Sequence, residues 1–198
     1  MTGQPMAHPF PQPGPLVGLA YRELQLAASG TLEQSLPLGD LYELPRPWEP
    51  ESCPASLRGE IWAWLDQVVD WLNTDDCWDP DGLIPACWSH HPHLVHEIAV
   101  LADQRRLAGQ ALTSDLLEEW HRYTLPSFHD RLRNRLRSHC DEGHQPWPAK
   151  GRHTRYRDGV GDRDRRFADD LLSVHATTGS WPQAQLALID LTTGEVVT

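Results

Sequence analysis

The strongest constraint on the fold is an apolar face that recurs with helical spacing between Pro54 and Asn73. Its members follow one another at steps of three and four residues and are Leu57, Ile61, Trp64, Leu65, Val68, Trp71 and Leu72. A face this wide must be buried against other elements, because it would otherwise expose a large apolar surface to water. Stacking of the tryptophans on a ligand or on bases is the alternative, but the helical spacing already accounts for them. The sequence therefore predicts a core helix over about residues 54–73.

Two further segments carry helical periodicity, and with the first they predict a compact three-helix domain. One spans about Pro92–Ala108, where proline suits the first turn of a helix. The other begins near Thr113 or Ser114 and continues to about His139. Pro126 lies inside this last segment and should kink or break it, because proline removes a backbone donor and clashes with the preceding turn.

The segments on either side of this core are predicted to be less regular. Residues 1–44 are rich in proline near their start and are expected to form a flexible arm, with a short helix over about residues 16–28. The helical core domain is expected to span residues 45–148, and a basic linker to span residues 149–166. Residues 167–198 are predicted to form a short helix and a C-terminal β-hairpin, since a Thr-Thr-Gly turn separates two apolar runs. The predicted fold class is therefore mostly α.

The charge of the chain is unevenly distributed. The formal net charge is −11, yet residues 131–166 carry eleven Lys or Arg against five Asp or Glu, which leaves −17 on the remainder. From Asp40 to Asp81 eleven acidic residues face only two arginines. Such a separation favours a protein partner or self-association through at least one of the two regions. Two ordinary solvated surfaces are the alternative interpretation.

The cysteine usage indicates free thiols. The four cysteines lie far apart, and no Cys-x-x-Cys occurs. Because no basic flank and apolar run mark a signal peptide, we expect a cytoplasmic protein with reduced thiols. No apolar run approaches about 20 residues, so no membrane-spanning segment is expected.

Cysteine and histidine concentrate at two places, which predicts a metal site. Thiolate and imidazole are the ligands that tetrahedral zinc prefers, and the spacing Cys140-x-x-x-His144 resembles that of known ligand pairs. The two places lie before the second predicted helix and after the third, so an antiparallel arrangement would bring them together. The expected ligands of one structural zinc are Cys87, His90, Cys140 and His144, with His91, His93 and His96 as substitutes. Ordinary polar surface is the alternative for these histidines.

No catalytic motif is complete. His96-Glu97 begins the His-Glu-x-x-His pattern of zinc proteases, but Val100 occupies the final position. There is no phosphate-binding loop, no dinucleotide fingerprint and no Gly-x-Ser-x-Gly. No catalytic residue is therefore assigned, and a zinc-dependent or thiol enzyme is kept as one alternative function.

A basic stretch predicts possible contact with nucleic acid. Arginines can neutralise phosphates, and such contacts make binding dependent on salt. The candidate residues are Arg131, Arg133, Arg135, Arg137, Arg152, Arg155 and Arg157. Pairing of these arginines with acidic residues, within the chain or in a homo-oligomer, is the competing interpretation.

Several of these segments together carry a resemblance to a family. They are the run from Ile84 to Pro92, the run from Leu94 to Leu101, the run from Glu118 to Arg122, Leu125-Pro126, Cys140 and His144. As a set they resemble an actinobacterial family of unknown function, whose members are commonly encoded on plasmids and on conjugative or integrative elements. The resemblance covers about residues 45–150. It implies a cytoplasmic bacterial accessory protein of a mobile element and assigns no chemistry to any residue.

The sequence thus predicts a non-enzymatic interaction protein that serves a mobile genetic element. Its acidic helical body and its basic stretch would contact different partners. A DNA-binding regulator that uses residues 131–166 is the first alternative, and a zinc-dependent or thiol enzyme is the second.

Overall fold

The computed structural model describes residues 6–177, 188–189 and 196–197, which are mostly helical. The α-helices are α1 (Pro15–Ser29), α2 (Leu32–Ser35), α3 (Ala55–Trp71), α4 (Pro92–Gln110), α5 (Asp115–Glu119), α6 (Leu125–Leu136), α7 (Lys150–Asp158) and α8 (Val160–Thr177). Short 3₁₀ turns lie at Leu36–Leu38, Pro50–Ser52, Pro80–Gly82 and Trp88–His90. Strands β1 (Leu188–Ile189) and β2 (Val196–Val197) pair antiparallel. No helix among the described residues is long and apolar enough to cross a membrane.

The chain divides into two compact units, Met1–Gln145 and Pro146–Thr198. In the first unit α3 is the central helix and packs against both α1 and α4, while α4 also contacts α5 and α6. The predicted core helix is thereby confirmed, and its apolar face is buried apart from the partly exposed Trp71. A π turn, Leu72–Asp76, follows α3 directly.

The first unit contains more than the three helices expected from the sequence, so that expectation is wrong. Helix α1, which the sequence predicts over about residues 16–28 as part of the arm, instead packs on α3 through Val17 and Ala20, which are almost completely buried. Its first turn is anchored by α3, because the Glu60 carboxylate accepts a hydrogen bond from the backbone N–H of Val17 at 2.6 Å. This anchoring comes from a residue 43 positions away, and local sequence patterns carry no information about it.

The proline-rich segment before α1 is docked on α3 instead of forming a free arm. Phe10 is buried and meets the Trp71 ring edge-on at 5.2 Å. Two indole N–H groups donate to backbone carbonyls of this segment. Trp71 donates to the carbonyl of His8 at 2.9 Å, and Trp64 donates to the carbonyl of Pro11 at 3.0 Å. Prolines favour this arrangement because they hold the segment extended, with its carbonyls available to donors from outside.

Pro126 does not break the third predicted helix. Helices α5 and α6 are joined without interruption by a π turn, Trp120–Thr124, in which the Leu125 N–H donates to the carbonyl of Trp120. The wider turn relieves the clash that a proline ring makes in a regular α-helix. The helix ends at Leu136, a few residues earlier than the sequence predicts, where Arg137 takes a positive φ of 49°.

In the second unit, most of the residues expected to form a linker at 149–166 are helical, in α7 and the first turns of α8. Arginine is a good helix former, and side-chain pairs lie both within α8 and between α7 and α8. The Arg163 guanidinium lies 3.9 Å from the centre of the Tyr156 ring, and Arg165 pairs with Asp162. The turn of the expected C-terminal hairpin, together with residues 178–187, lies outside the described residues.

Candidate metal centre

The loop before α4 is held in place by an asparagine. The Asn73 side chain donates from Nδ2 to the carbonyl of Ile84 at 3.0 Å and accepts from the Ile84 N–H at 2.9 Å through Oδ1. Ile84 itself is buried in the core. This pair of hydrogen bonds joins the π turn after α3 to the start of the segment that carries Cys87 and His91.

Replacement of Asn73 with Ala should therefore lower stability and weaken the candidate site together. The change leaves the buried N–H and carbonyl of Ile84 without partners, which costs about 1–3 kcal/mol of unfolding free energy. Denaturant unfolding and a metal titration measure the two effects. Asn134→Ala, an exposed change on α6, is the matched control and should leave both quantities unchanged; equal effects from the two variants would contradict the role given to Asn73.

Cys87 and His91 are brought together by one turn of chain. The 3₁₀ turn Trp88–His90 separates them, and buried Trp88 anchors that turn in the core. His91 directly precedes α4, and only 9% of its surface is exposed. Its Nε2 atom lies 3.4 Å from the Sγ atom of Cys87. The ring is thus held at the N-terminus of α4 by backbone that packing has already fixed.

Cys140 and His144 lie in the segment that follows α6. The left-handed conformation of Arg137 turns the chain, and the Gly143 N–H donates to the carbonyl of Cys140 in a second turn where Gly143 has a φ of 121°. Cys140 is buried, and its Sγ atom lies 3.4 Å from Nε2 of His91. The His144 ring lies 5.1 Å from the His91 ring, measured between centroids.

These four residues form one group whose dimensions suit a metal ion. One ligand atom from each of Cys87, His91, Cys140 and His144 lies within 4.8 Å of the other three. A tetrahedral zinc with bonds of about 2.0–2.3 Å holds its ligand atoms about 3.3–3.8 Å apart. The two sulfur–nitrogen distances to His91 fall in that range, so small side-chain movements are enough to complete a tetrahedron.

Three of the four ligands expected from the sequence belong to this group, and a different histidine takes the place of the fourth. His91, expected only as a substitute, occupies the place assigned to His90. His90 is exposed and instead packs its ring on His144 at 4.8 Å between centroids. No local signal in the sequence selects His91 over His90, because the choice depends on which ring the folded chain buries. His93 lies beside His91, and His96 lies 3.5 Å from Glu51.

Burial acts on the protonation of two of these side chains. It lowers the pKa of His91, and the neighbouring histidines, His144 first among them, add to that effect. Burial also raises the pKa of the Cys87 thiol, and so does the adjacent Cys140. Neutral imidazole is the form that binds a metal, whereas the thiol must lose its proton to do so. Metal uptake at this candidate site would therefore be accompanied by proton release.

A partly buried histidine makes stability depend on pH. His129, on α6, donates from Nδ1 to the carbonyl of Gly82 at 3.1 Å, and burial lowers its pKa below the ordinary 6.5. The unfolded chain therefore binds a proton at His129 more readily than the folded chain does. The contribution of this residue to the free energy of unfolding is highest above about pH 6.5 and decreases as the pH falls below that value. We expect His129→Gln to reduce the loss of unfolding free energy between about pH 7.5 and pH 5.5. Exposed His96→Gln is the control; parallel pH curves for wild type and His129→Gln would refute the assignment.

The arginines expected to contact nucleic acid differ in their surroundings. Glu97, on α4, pairs with both Arg131 and Arg135, at 2.6 Å in the case of Arg131. Arg133 lies 3.3 Å from Asp79. Arg137 lines a cleft of about 690 Å³ that also borders Cys87, Cys140 and His144. In the second unit, the three arginines of α7 are exposed, and no ion pair of the described residues involves them.

The fold and the site together define a class: a helical protein with a clustered pair of cysteines and pair of histidines. Comparisons of the chain with protein-family models, with curated proteins and with solved structures find no match. The argument for function therefore rests on the chemistry of this group.

Proposed function

We propose that the protein binds one zinc ion through Cys87, His91, Cys140 and His144, and that this ion fastens the segment after α6 to the N-terminus of α4. The observation that carries the proposal is the mutual proximity of the four ligand atoms, which all lie within 4.8 Å of one another. Cys140 and His91 are 49 residues apart in the chain. An ion at this point would cross-link two segments that are distant in the sequence.

The donor set favours zinc over other common ions. Two thiolates and two imidazoles match the Cys₂His₂ set of structural zinc sites. Calcium and magnesium prefer oxygen ligands, and the group offers none. Four protein ligands also fill a tetrahedron and leave no open position for a substrate, which is the feature of structural sites. A structural role is therefore the one that the chemistry supports.

The metal content of untagged protein, purified without chelator, tests the proposal. We expect one zinc per chain, and we expect Cys87→Ser and Cys140→Ser to lose it. Cys53→Ser is the matched control, because Cys53 is buried next to Ser52 and lies outside the group. Wild-type protein that neither contains zinc nor takes it up in a titration would refute the proposal.

A binding role for the protein as a whole, and not a catalytic one, is the second part of the proposal. A closed metal site supports it, and so does the exposed apolar surface of α8, where Phe167, Leu171 and Leu172 are each more than 60% exposed. Surfaces of this kind favour a protein partner or a second copy of the chain. The resemblance to proteins of mobile elements adds that the partner belongs to such an element. Size-exclusion chromatography with light scattering, compared between wild type and Leu171→Asp, tests self-association; a monomer in both samples leaves a different protein as the partner to seek.

Nucleic acid is the alternative partner, and the surroundings of α7 favour it. Arg152, Arg155 and Arg157 are exposed along that helix, whereas Arg131 and Arg135 already share Glu97. If DNA is bound, the affinity should fall steeply with added salt, and replacing the three α7 arginines with Gln should reduce that dependence. Absence of binding at low salt would rule this alternative out.

A further inference from the structure

We infer that Cys87 and Cys140 form an oxidation site, in which a hydroperoxide converts the two thiolates to a disulfide and expels the zinc. The inference rests on the proposed function for the ion that is released. The pairing of the two thiols is a separate matter, because it depends only on the placement of the cysteines.

The two sulfur atoms are close enough to be joined. Both lie 3.4 Å from the same atom, Nε2 of His91, and the ligand atoms of the group lie within 4.8 Å of one another. Disulfide formation requires a sulfur–sulfur distance of about 2.05 Å, which side-chain rotation can reach when the Cβ atoms are already near one another. Cys53 and Cys77 are not part of this group among the described residues. The disulfide that the geometry favours is therefore the one between Cys87 and Cys140.

A small oxidant can reach the pair. Cys87 is partly exposed, and both cysteines line the cleft of about 690 Å³ together with His144 and Arg137. His91 is not among the residues that line this cleft. The Cys87 thiol is therefore the first that a small oxidant in the cleft would meet, since Cys140 is itself buried.

The chemistry balances with hydrogen peroxide as the oxidant. One thiolate attacks an oxygen of the peroxide, the O–O bond breaks, and a sulfenic acid and one water form after protonation. The second thiolate attacks the sulfenic sulfur and expels the other oxygen as water, which leaves the disulfide. In sum, two thiolates, one peroxide and two protons give one disulfide and two waters. The zinc keeps only two imidazole ligands and dissociates.

The disulfide would retain part of the metal's structural role. It joins the same two segments that the zinc joins, since Cys87 precedes α4 and Cys140 follows α6. The oxidised protein is thus expected to stay folded, while His144 and the residues around it lose their tether. The site would then act as a reversible switch between a metal-bound and a disulfide-bound form.

Zinc-loaded protein treated with hydrogen peroxide provides the test. A chromogenic chelator follows the released zinc, and peptide mapping by mass spectrometry identifies the oxidised residues. We expect one zinc released for each Cys87–Cys140 disulfide formed, and recovery of zinc binding after reduction with dithiothreitol. The double variant Cys53→Ser, Cys77→Ser should behave as wild type, which excludes the remaining cysteines.

Three results would overturn the inference: zinc retained at excess peroxide, zinc released with only sulfinic or sulfonic acids at the two cysteines, or a disulfide that involves Cys53 or Cys77. A failure of the proposed function is recognised before the peroxide experiment, because the protein then takes up no zinc. In that case peroxide treatment of the metal-free chain still shows whether Cys87 and Cys140 pair.

Discussion

Removal of the zinc should lower the melting temperature of the protein by about 10 °C. A ligand present at about a thousand times its dissociation constant stabilises the folded state by about 4 kcal/mol, and each kcal/mol shifts the Tm of a chain of this size by about 2–4 °C. Structural zinc is commonly bound more tightly than this, so the figure is a lower bound. We expect the segment that follows Leu136 to lose most of this stability, because it carries Cys140 and His144.

Differential scanning calorimetry with and without a chelator measures this shift, and re-addition of zinc should reverse it. Cys140→Ser should melt at the temperature of the chelated wild type and should not respond to chelator. Cys53→Ser should keep its response, since its side chain lies outside the group. An unchanged Tm after the metal has been removed would show that the ion does not contribute to stability.

Truncation of Trp64 should destabilise the first unit by about 3–5 kcal/mol, which is the usual cost of removing a buried aromatic side chain. Trp64 is 2% exposed at the centre of α3, where its ring meets Tyr21 edge-on at 6.4 Å. It also holds the N-terminal segment through the hydrogen bond to Pro11. Trp64→Ala removes the packing and the hydrogen bond at once.

Two companion variants separate these contributions. Trp64→Phe keeps most of the apolar volume but leaves the carbonyl of Pro11 without its donor, at a cost of about 1–3 kcal/mol. Trp62→Ala, on the same helix with 39% of its surface exposed, should cost clearly less than Trp64→Ala. Denaturant unfolding gives each value, and similar losses for Trp62→Ala and Trp64→Ala would mean that Trp64 is not the core residue described above.

Local patterns in the sequence account for the helices, but they do not account for how the helices are joined or for what packs against them. The periodicity over residues 54–73 and 92–108 reports which face is apolar, and those faces are buried in α3 and α4. The continuation through Pro126 depends on a π turn, which hydrophobic periodicity does not encode. The docking of residues 8–11 depends on indole donors more than 50 positions away, and a proline-rich composition taken alone predicts flexibility.

The candidate metal site shows the same division. Residue type and spacing are sufficient to select Cys87, Cys140 and His144, because thiolate and imidazole are uncommon enough that their clustering is informative. The choice between His90 and His91 needs the direction of each ring relative to the core. Adjacent side chains point to different sides of the chain, and only the packing of Trp88 and α4 decides which of the two is buried against the cysteines.

By itself, therefore, the sequence determined the helical class, the central helix and the residue types of a candidate metal site. The tertiary structure alone decided that the N-terminal segment is docked, that α5 and α6 run on into each other, and that His91 completes the group. The physical reason is the separation along the sequence of the residues that interact. Helical periodicity and ligand chemistry are properties of neighbouring residues, whereas burial, hydrogen bonds such as that between Trp64 and Pro11, and the meeting of Cys87 with Cys140 depend on segments that only folding brings together.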